Sequence, residues 1–75
     1  MAIDETIRRN LIDFRQKNNL TQDDIARQLN MPRSTYATYE QGYARPGVEV
    51  LIQISEIFRI PLAKFIGINQ EGENR

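Results

Sequence analysis

The chain of 75 residues contains no cysteine, no histidine and no tryptophan. Without cysteine it can form no disulfide, thiolate metal site or cysteine nucleophile. Without histidine it lacks the usual general base of hydrolases and the commonest zinc ligand. No run of apolar residues is longer than three, whereas a membrane-spanning helix needs roughly 20. We therefore expect a binding protein with no catalytic residues, no metal, no cofactor and no membrane association.

The chain also lacks an excess of charge of either sign. Ten Lys and Arg residues balance ten Asp and Glu residues, so the formal net charge is zero. DNA-binding domains are often basic, and any positive potential that attracts nucleic acid must therefore be local. Residues 1–5 show no basic segment followed by an apolar one, which is the pattern of a signal peptide. We expect a cytoplasmic protein.

Apolar residues recur at helical spacing along nearly the whole chain, and no stretch alternates as a half-buried strand would. Ile7, Leu11 and Phe14 predict a first helix over about residues 5–17. The Thr21 hydroxyl can accept a hydrogen bond from the amide of Asp24 and so begin a second helix. A third helix follows after a short turn.

The second half of the chain continues the helical pattern. A fourth helix is expected to bury an inward face of Val48, Leu51, Ile54 and Phe58. A short fifth helix follows a proline. The sequence therefore predicts an all-α, compact five-helix bundle that forms one domain over residues 1–68, with a polar and flexible tail over residues 69–75.

Residues 22–41 have the layout of a helix-turn-helix motif. Two helices are separated by only three residues, 30–32, which is the connection typical of this motif. Ala26 is small at the position where the two helices would cross, and Asn30 tolerates the positive φ that the turn requires. The outward face of the second of these helices carries one arginine and two hydroxyls, so it can enter a major groove without steric obstruction.

These features resemble the phage repressor and Cro family of helix-turn-helix regulators, also called the xenobiotic-response-element (XRE) family, which has the lambda-repressor-like fold. The resemblance covers about residues 7–66. The matching segments are Leu20-Thr21-Gln22-Asp23-Asp24-Ile25-Ala26, Arg33-Ser34-Thr35-Tyr36, Tyr39-Glu40-Gln41-Gly42 and Arg45-Pro46. The chain departs from the family at Asn30, where glycine is usual, and at Pro32, where a serine N-cap is frequent.

The resemblance implies sequence-specific binding of double-stranded DNA by a transcriptional regulator, most simply a repressor. The residues expected to read bases are Arg33, Ser34 and Thr38. The residues expected to contact the DNA backbone are Lys17, Thr21, Gln22, Thr35, Gln41, Tyr43 and Arg45. The alternative for each of these is an ordinary solvated side chain. In this family, residues equivalent to Arg15 and Glu40 form an ion pair between the first and third helices.

The apolar character of the fourth helix predicts an interface. If its inward face fills the core, Val50 and Ile57 form a stripe with no internal partner, and exposed apolar stripes commonly mark interfaces. We therefore expect a homodimer that binds an inverted-repeat operator. The alternative function is a protein-interaction module, such as an antitoxin or a regulator-binding domain, whose surface on the fourth and fifth helices binds a partner protein. An enzyme is not expected.

Overall fold

The computed structural model of the protein describes residues 3–67. These residues form five helices and no strand. The helices are α1 (Ile3–Lys17), α2 (Gln22–Gln28), α3 (Arg33–Gln41), α4 (Val48–Phe58) and α5 (Leu62–Phe65). The predicted all-α fold with five helices is confirmed, although α1 begins two residues earlier than predicted. The predicted tail over residues 69–75 lies outside the described residues.

All five helices contribute to one apolar core. The buried apolar residues are Ile7, Leu11, Ile25, Ala26, Leu29, Tyr36, Ile54 and Phe65. Phe14 of α1 extends this core toward the C-terminal helices. The centroid of its ring lies 5.7 Å from the ring centroid of Phe58 and 5.9 Å from that of Phe65. The core therefore ties α4 and α5 to α1, against which α3 also packs, while α2 packs on α3.

The turn between α2 and α3 has the geometry that the sequence predicts. Asn30 has a φ of 58°, and the amide of Met31 donates to the carbonyl of Ala26 at 3.0 Å. Ala26 is only 1% exposed, so a larger side chain would push the helices apart. Pro32 is the N-cap residue of α3 and gives no side-chain hydrogen bond, so α3 lacks the acceptor that a serine would supply there.

The prediction for the two sides of α4 is wrong in two respects. Val50 and Ile57 are half-buried and pack against the core, so they do have internal partners. Val48, expected to face inward, is 68% exposed, and Ile52 is 41% exposed. The physical reason is the rotation of α4, whose core-facing side contains the fully buried Ile54. Val50 lies one turn before Ile54 and close to it around the helix axis, whereas Val48 lies about 120° away and faces solvent.

Candidate nucleic-acid interface

The start of α2 is held by a reciprocal pair of hydrogen bonds. The amide of Asp24 donates to Oγ1 of Thr21 at 3.0 Å, as the sequence predicts, and the amide of Thr21 donates to Oδ2 of Asp24 at 2.8 Å. The hydrogen bond from the backbone amide of Thr21 is the main cause of the lowered pKa of the Asp24 carboxyl. This capping box makes Gln22 the first residue of the helix and determines where its side chain leaves the backbone.

Glu40 lies at the centre of a hydrogen-bonded cluster that joins the first three helices. Its side chain is only 5% exposed. Oε2 accepts from Nε of Arg15 and from the hydroxyl of Tyr36, both at 2.7 Å. Oε1 accepts from Nε2 of Gln22 at 3.0 Å and from Nη2 of Arg15 at 3.1 Å. We refer to Arg15, Gln22, Tyr36 and Glu40 as the Glu40 cluster.

The Glu40 cluster requires an ionised carboxylate. An ionised carboxylate has about four lone-pair sites and no donor, and here four donors surround it. Burial acts to raise the pKa of Glu40, but the hydrogen bonds from Arg15, Tyr36 and Gln22 outweigh burial and lower this pKa. Burial and the bond to Glu40 together raise the pKa of Tyr36, whose hydroxyl therefore stays a donor.

Two arginines of α1 also hold the backbone of the motif. Nη1 of Arg15 donates to the carbonyl of Leu20 at 2.9 Å, just before α2. Nη1 of Arg8 donates to the carbonyl of Glu40 at 3.2 Å, at the end of α3, while its other nitrogens bind Glu5. Arg8 was not among the residues predicted from the sequence to support the motif. Its signal was the seven-residue spacing from Arg15, which places both side chains on one face of α1.

The outward face of α3 carries the residues expected to read bases. Arg33, Ser34 and Thr35 are exposed, and Thr38 is half-exposed. At about 100° per residue, Arg33, Ser34 and Thr38 share one side of the helix with Gln41, and Thr35 lies at its edge. The hydroxyl of Thr38 donates to the carbonyl of Thr35 at 2.6 Å, so its methyl group and its oxygen lone pairs are what it presents outward.

The loop after α3 brings further predicted residues to the end of this helix. Gly42 ends α3 with a φ of 84°, and the amide of Tyr43 donates to the carbonyl of Thr38 at 2.9 Å. Tyr43 is 82% exposed, and Gln41 and Arg45 are exposed as well. A cavity of about 280 Å³ lies between this loop and α1. Gln41, Tyr43 and Arg45 are therefore close along the chain and accessible.

One predicted contact stands apart. Lys17 is exposed in the last turn of α1, and no described contact joins it to the other predicted site residues. The structure thus brings the start of α2, the face of α3 and the following loop together through the packing of α2 on α3. It does not bring Lys17 into that group.

Among residues 3–67, no three or more Asp or Glu side chains are grouped so that they could hold a metal ion. None of the described helices combines the length and the apolar character needed to cross a membrane.

The chain is similar to known transcriptional regulators. Residues 11–65 match the helix-turn-helix family HTH_3. The HTH-type transcriptional regulator AnsR of Bacillus subtilis (strain 168) is 35% identical over 57 residues, which cover 76% of this chain and 49% of AnsR. The cryptic phage CTXphi transcriptional repressor RstR of Vibrio cholerae is 26% identical over 54 residues, covering 72% of this chain and 49% of RstR.

A solved structure agrees with these sequence matches. The crystal structure of a transcriptional regulator from Listeria innocua superimposes with a TM-score of 0.79 at 28% identity, over 85% of this chain and 60% of that one. The chain spans about half the length of AnsR and of RstR.

Proposed function

The chain belongs to the helix-turn-helix family HTH_3, and from this premise we propose that it binds a specific sequence of double-stranded DNA and represses transcription as a homodimer on an inverted repeat. Its family is one of transcriptional regulators and not of enzymes. Its similarity to RstR, a transcriptional repressor by name, supports repression as the direction of control.

The observation that carries the proposal is the surface of α3. Its only acidic residue, Glu40, is buried and neutralised by Arg15, whereas the outward face has Arg33, two hydroxyls and no carboxylate. An arginine at the start of a recognition helix can donate two hydrogen bonds to O6 and N7 of guanine. We propose that Arg33 reads a base in this way, with Ser34 and Thr38 reading neighbouring base edges.

The proposed backbone contacts flank that face. Thr21 and Gln22 begin α2, where unpaired amides of a helix N-terminus favour a phosphate. Thr35 lies at the edge of α3, and Gln41, Tyr43 and Arg45 lie at and beyond its end. Lys17 is a more distant candidate. These contacts would fix the register of α3 in the groove.

The zero net charge is compatible with this local surface. The acidic residues of α2 are occupied, since Asp23 pairs with Arg27 at 2.5 Å and Asp24 is part of the capping box. Near α3, the carboxylate of Glu40 is paired with Arg15. On α3 itself, Arg33 therefore presents its positive charge on a face that carries no carboxylate.

Two copies would present two α3 helices about 34 Å apart, one turn of DNA. We propose that the surface of α4 and α5 forms the dimer. Val50 and Ile57 keep part of their surface exposed, and Val48 with Ile52 form a separate exposed apolar pair on another side of α4. Which pair lies at the interface is a question for substitution.

The test is selection of binders from a randomised pool of duplex DNA with the purified protein at physiological salt. We expect an enriched inverted repeat with half-sites about one helical turn apart. On the selected site, Arg45→Ala should reduce the salt dependence of the affinity by about one unit of slope. The control variant Arg9→Ala changes an exposed cation on α1, which is assigned to neither the DNA contact nor the dimer, and should leave the slope unchanged.

An unenriched pool would contradict the proposal. Binding of a protein partner that is insensitive to salt, without any binding of DNA, would support the alternative of a protein-interaction module. The exposed Val48 and Ile52 are the observation that favours this alternative.

A further inference from the structure

We propose that Glu40 is a positioning residue for the DNA phosphate contact of Gln22. Its carboxylate fixes the nitrogen end of the Gln22 amide inward, so that one N–H is bound to Glu40 and the second N–H remains to donate to a phosphate oxygen. This inference rests on the proposed DNA-binding function and assigns a further role to a residue that the resemblance identified only as an ion-pair partner of Arg15.

Hydrogen-bond donors occupy both carboxylate oxygens of Glu40. Arg15 and Tyr36 donate to Oε2, and Arg15 and Gln22 donate to Oε1. The carboxylate can only accept, and each oxygen receives two donors. Gln22 can therefore face Glu40 only with its nitrogen, because its carbonyl oxygen would oppose a negatively charged oxygen.

Without the hydrogen bond to Glu40, the orientation of the Gln22 side-chain amide would not be fixed. The two ends of a side-chain amide have nearly the same shape, so a glutamine without a partner can present either end. Phosphate accepts hydrogen bonds and repels a carbonyl oxygen. A half-buried Gln22 whose nitrogen is already held at 3.0 Å from Glu40 avoids the cost of ordering this side chain upon binding.

The carboxylate of Glu40 lies near the proposed phosphate contact, but its negative charge is buried and paired. Glu40 is 5% exposed, and Arg15 binds both of its oxygens. The pair is therefore close to neutral as seen from outside. Repulsion of a phosphate is weakened, while the short-range hydrogen bond to Gln22 persists.

The experiment is a set of double-mutant cycles on the affinity for the selected DNA site. In the otherwise unchanged protein, Gln22→Ala should weaken binding about tenfold, since a hydrogen bond to a charged group is lost. In a Glu40→Gln background the same substitution should cost less than about threefold, because Gln22 is no longer oriented. In a Tyr36→Phe background it should still cost about tenfold, since this change removes a donor from Oε2 and leaves the Gln22 bond in place.

A contact-specific readout separates positioning from general loss of structure. DNA with a neutral methylphosphonate at a single phosphate should reveal the phosphate that Gln22 contacts, because there the effect of Gln22→Ala disappears. Gln28→Ala, an exposed glutamine at the other end of α2, is the matched control and should show no such phosphate. An equal cost of Gln22→Ala in all three backgrounds would overturn the proposal.

NMR of the unchanged protein covers the case in which Glu40→Gln does not fold. The two side-chain amide protons of Gln22 should differ in solvent exchange, and the faster one should shift and become protected when the selected DNA binds. No change in either proton would overturn the positioning role alone. Failure of the protein to bind any DNA would overturn both this inference and the proposed function.

Discussion

The region around α2 and α3 and the region around α4 and α5 are held in place by different forces. In the first, a capping box and the four hydrogen bonds to Glu40 connect side chains from three helices. In the second, the N-caps Gly47 and Pro61 give no side-chain hydrogen bond, and the rings of Phe14, Phe58 and Phe65 pack against one another.

The kind of interaction in each region matches what that region requires, which is attachment for α4 and α5 and a defined orientation for α3. Apolar burial is strong but nearly independent of direction. Together with a hydrogen bond from Nδ2 of Asn10 to the carbonyl of Phe65 at 2.7 Å, it attaches α4 and α5 to the core. Hydrogen bonds to charged groups have narrow geometry, and they therefore determine the orientation of an exposed helix such as α3. If this comparison is correct, damage to the polar region should alter DNA binding as well as stability, and damage to the apolar region should alter stability alone.

The largest effect is expected from Arg15→Ala. It leaves the buried carboxylate of Glu40 without its cation, and we expect a loss of about 3–5 kcal/mol in the free energy of unfolding, measured with urea. Replacing both partners, Arg15→Met with Glu40→Leu, should cost less than the sum of the two single losses, because no buried charge remains. Strictly additive losses would show that the pair is not coupled.

Acidification should weaken the same cluster without mutation. The pKa of Glu40 is lowered in the folded protein, so the folded state binds fewer protons than the unfolded state in the acidic range. This contribution is fully present above the unfolded pKa of about 4.3 and is lost as the pH falls through the lower, folded pKa. Urea titrations from pH 6 downward should show a steeper decline for the unchanged protein than for the variant lacking both Arg15 and Glu40.

Arg33→Ala should separate binding from stability. We expect a loss of about 1–3 kcal/mol in affinity for the selected site, with relaxed preference at one base pair. The free energy of unfolding should change by less than about 0.5 kcal/mol, since Arg33 is exposed. An unchanged sequence preference, measured by repeating the selection, would show that Arg33 does not read a base.

The helix caps give a smaller pair of effects with opposite sign. Thr21→Ala removes the capping hydroxyl and should cost about 1 kcal/mol. Arg59 ends α4 with a φ of 57°, a conformation that glycine adopts more easily, so Arg59→Gly should stabilise the protein by about 0.5 kcal/mol. Thermal unfolding measures both. A loss of stability in Arg59→Gly would mean that its side chain matters more than its backbone.

The smallest effect on stability is expected from Ile52→Lys on the exposed side of α4. Because the side chain of Ile52 is exposed and contributes little to the core, the free energy of unfolding should change by less than about 0.5 kcal/mol. If Val48 and Ile52 form the dimer, sedimentation should show a shift to monomer. If the dimer instead uses the partly buried stripe of Val50 and Ile57, Ile52→Lys should stay dimeric and Ile57→Lys should not.

The local features of the fold were predictable from the chain itself. The Thr21 cap and the positive φ of Asn30 follow from preferences of single residues or near neighbours, and both are confirmed. The five helices follow from apolar spacing. The juxtaposition of Arg15 and Glu40 came from the family resemblance, since a separation of 25 residues carries no local signal.

The sequence by itself determined which segments are helical, that α2 begins after Thr21, and which side of α3 is polar, because these properties depend on residues within a few positions of one another. Only the tertiary structure decided that Gln22 and Tyr36 share the carboxylate of Glu40, and that Arg8 binds the end of α3. It also decided which edge of α4 is covered. Those contacts depend on how the helices rotate and cross. The apolar periodicity specifies the rotation of a helix only to within about one residue, or about 100°.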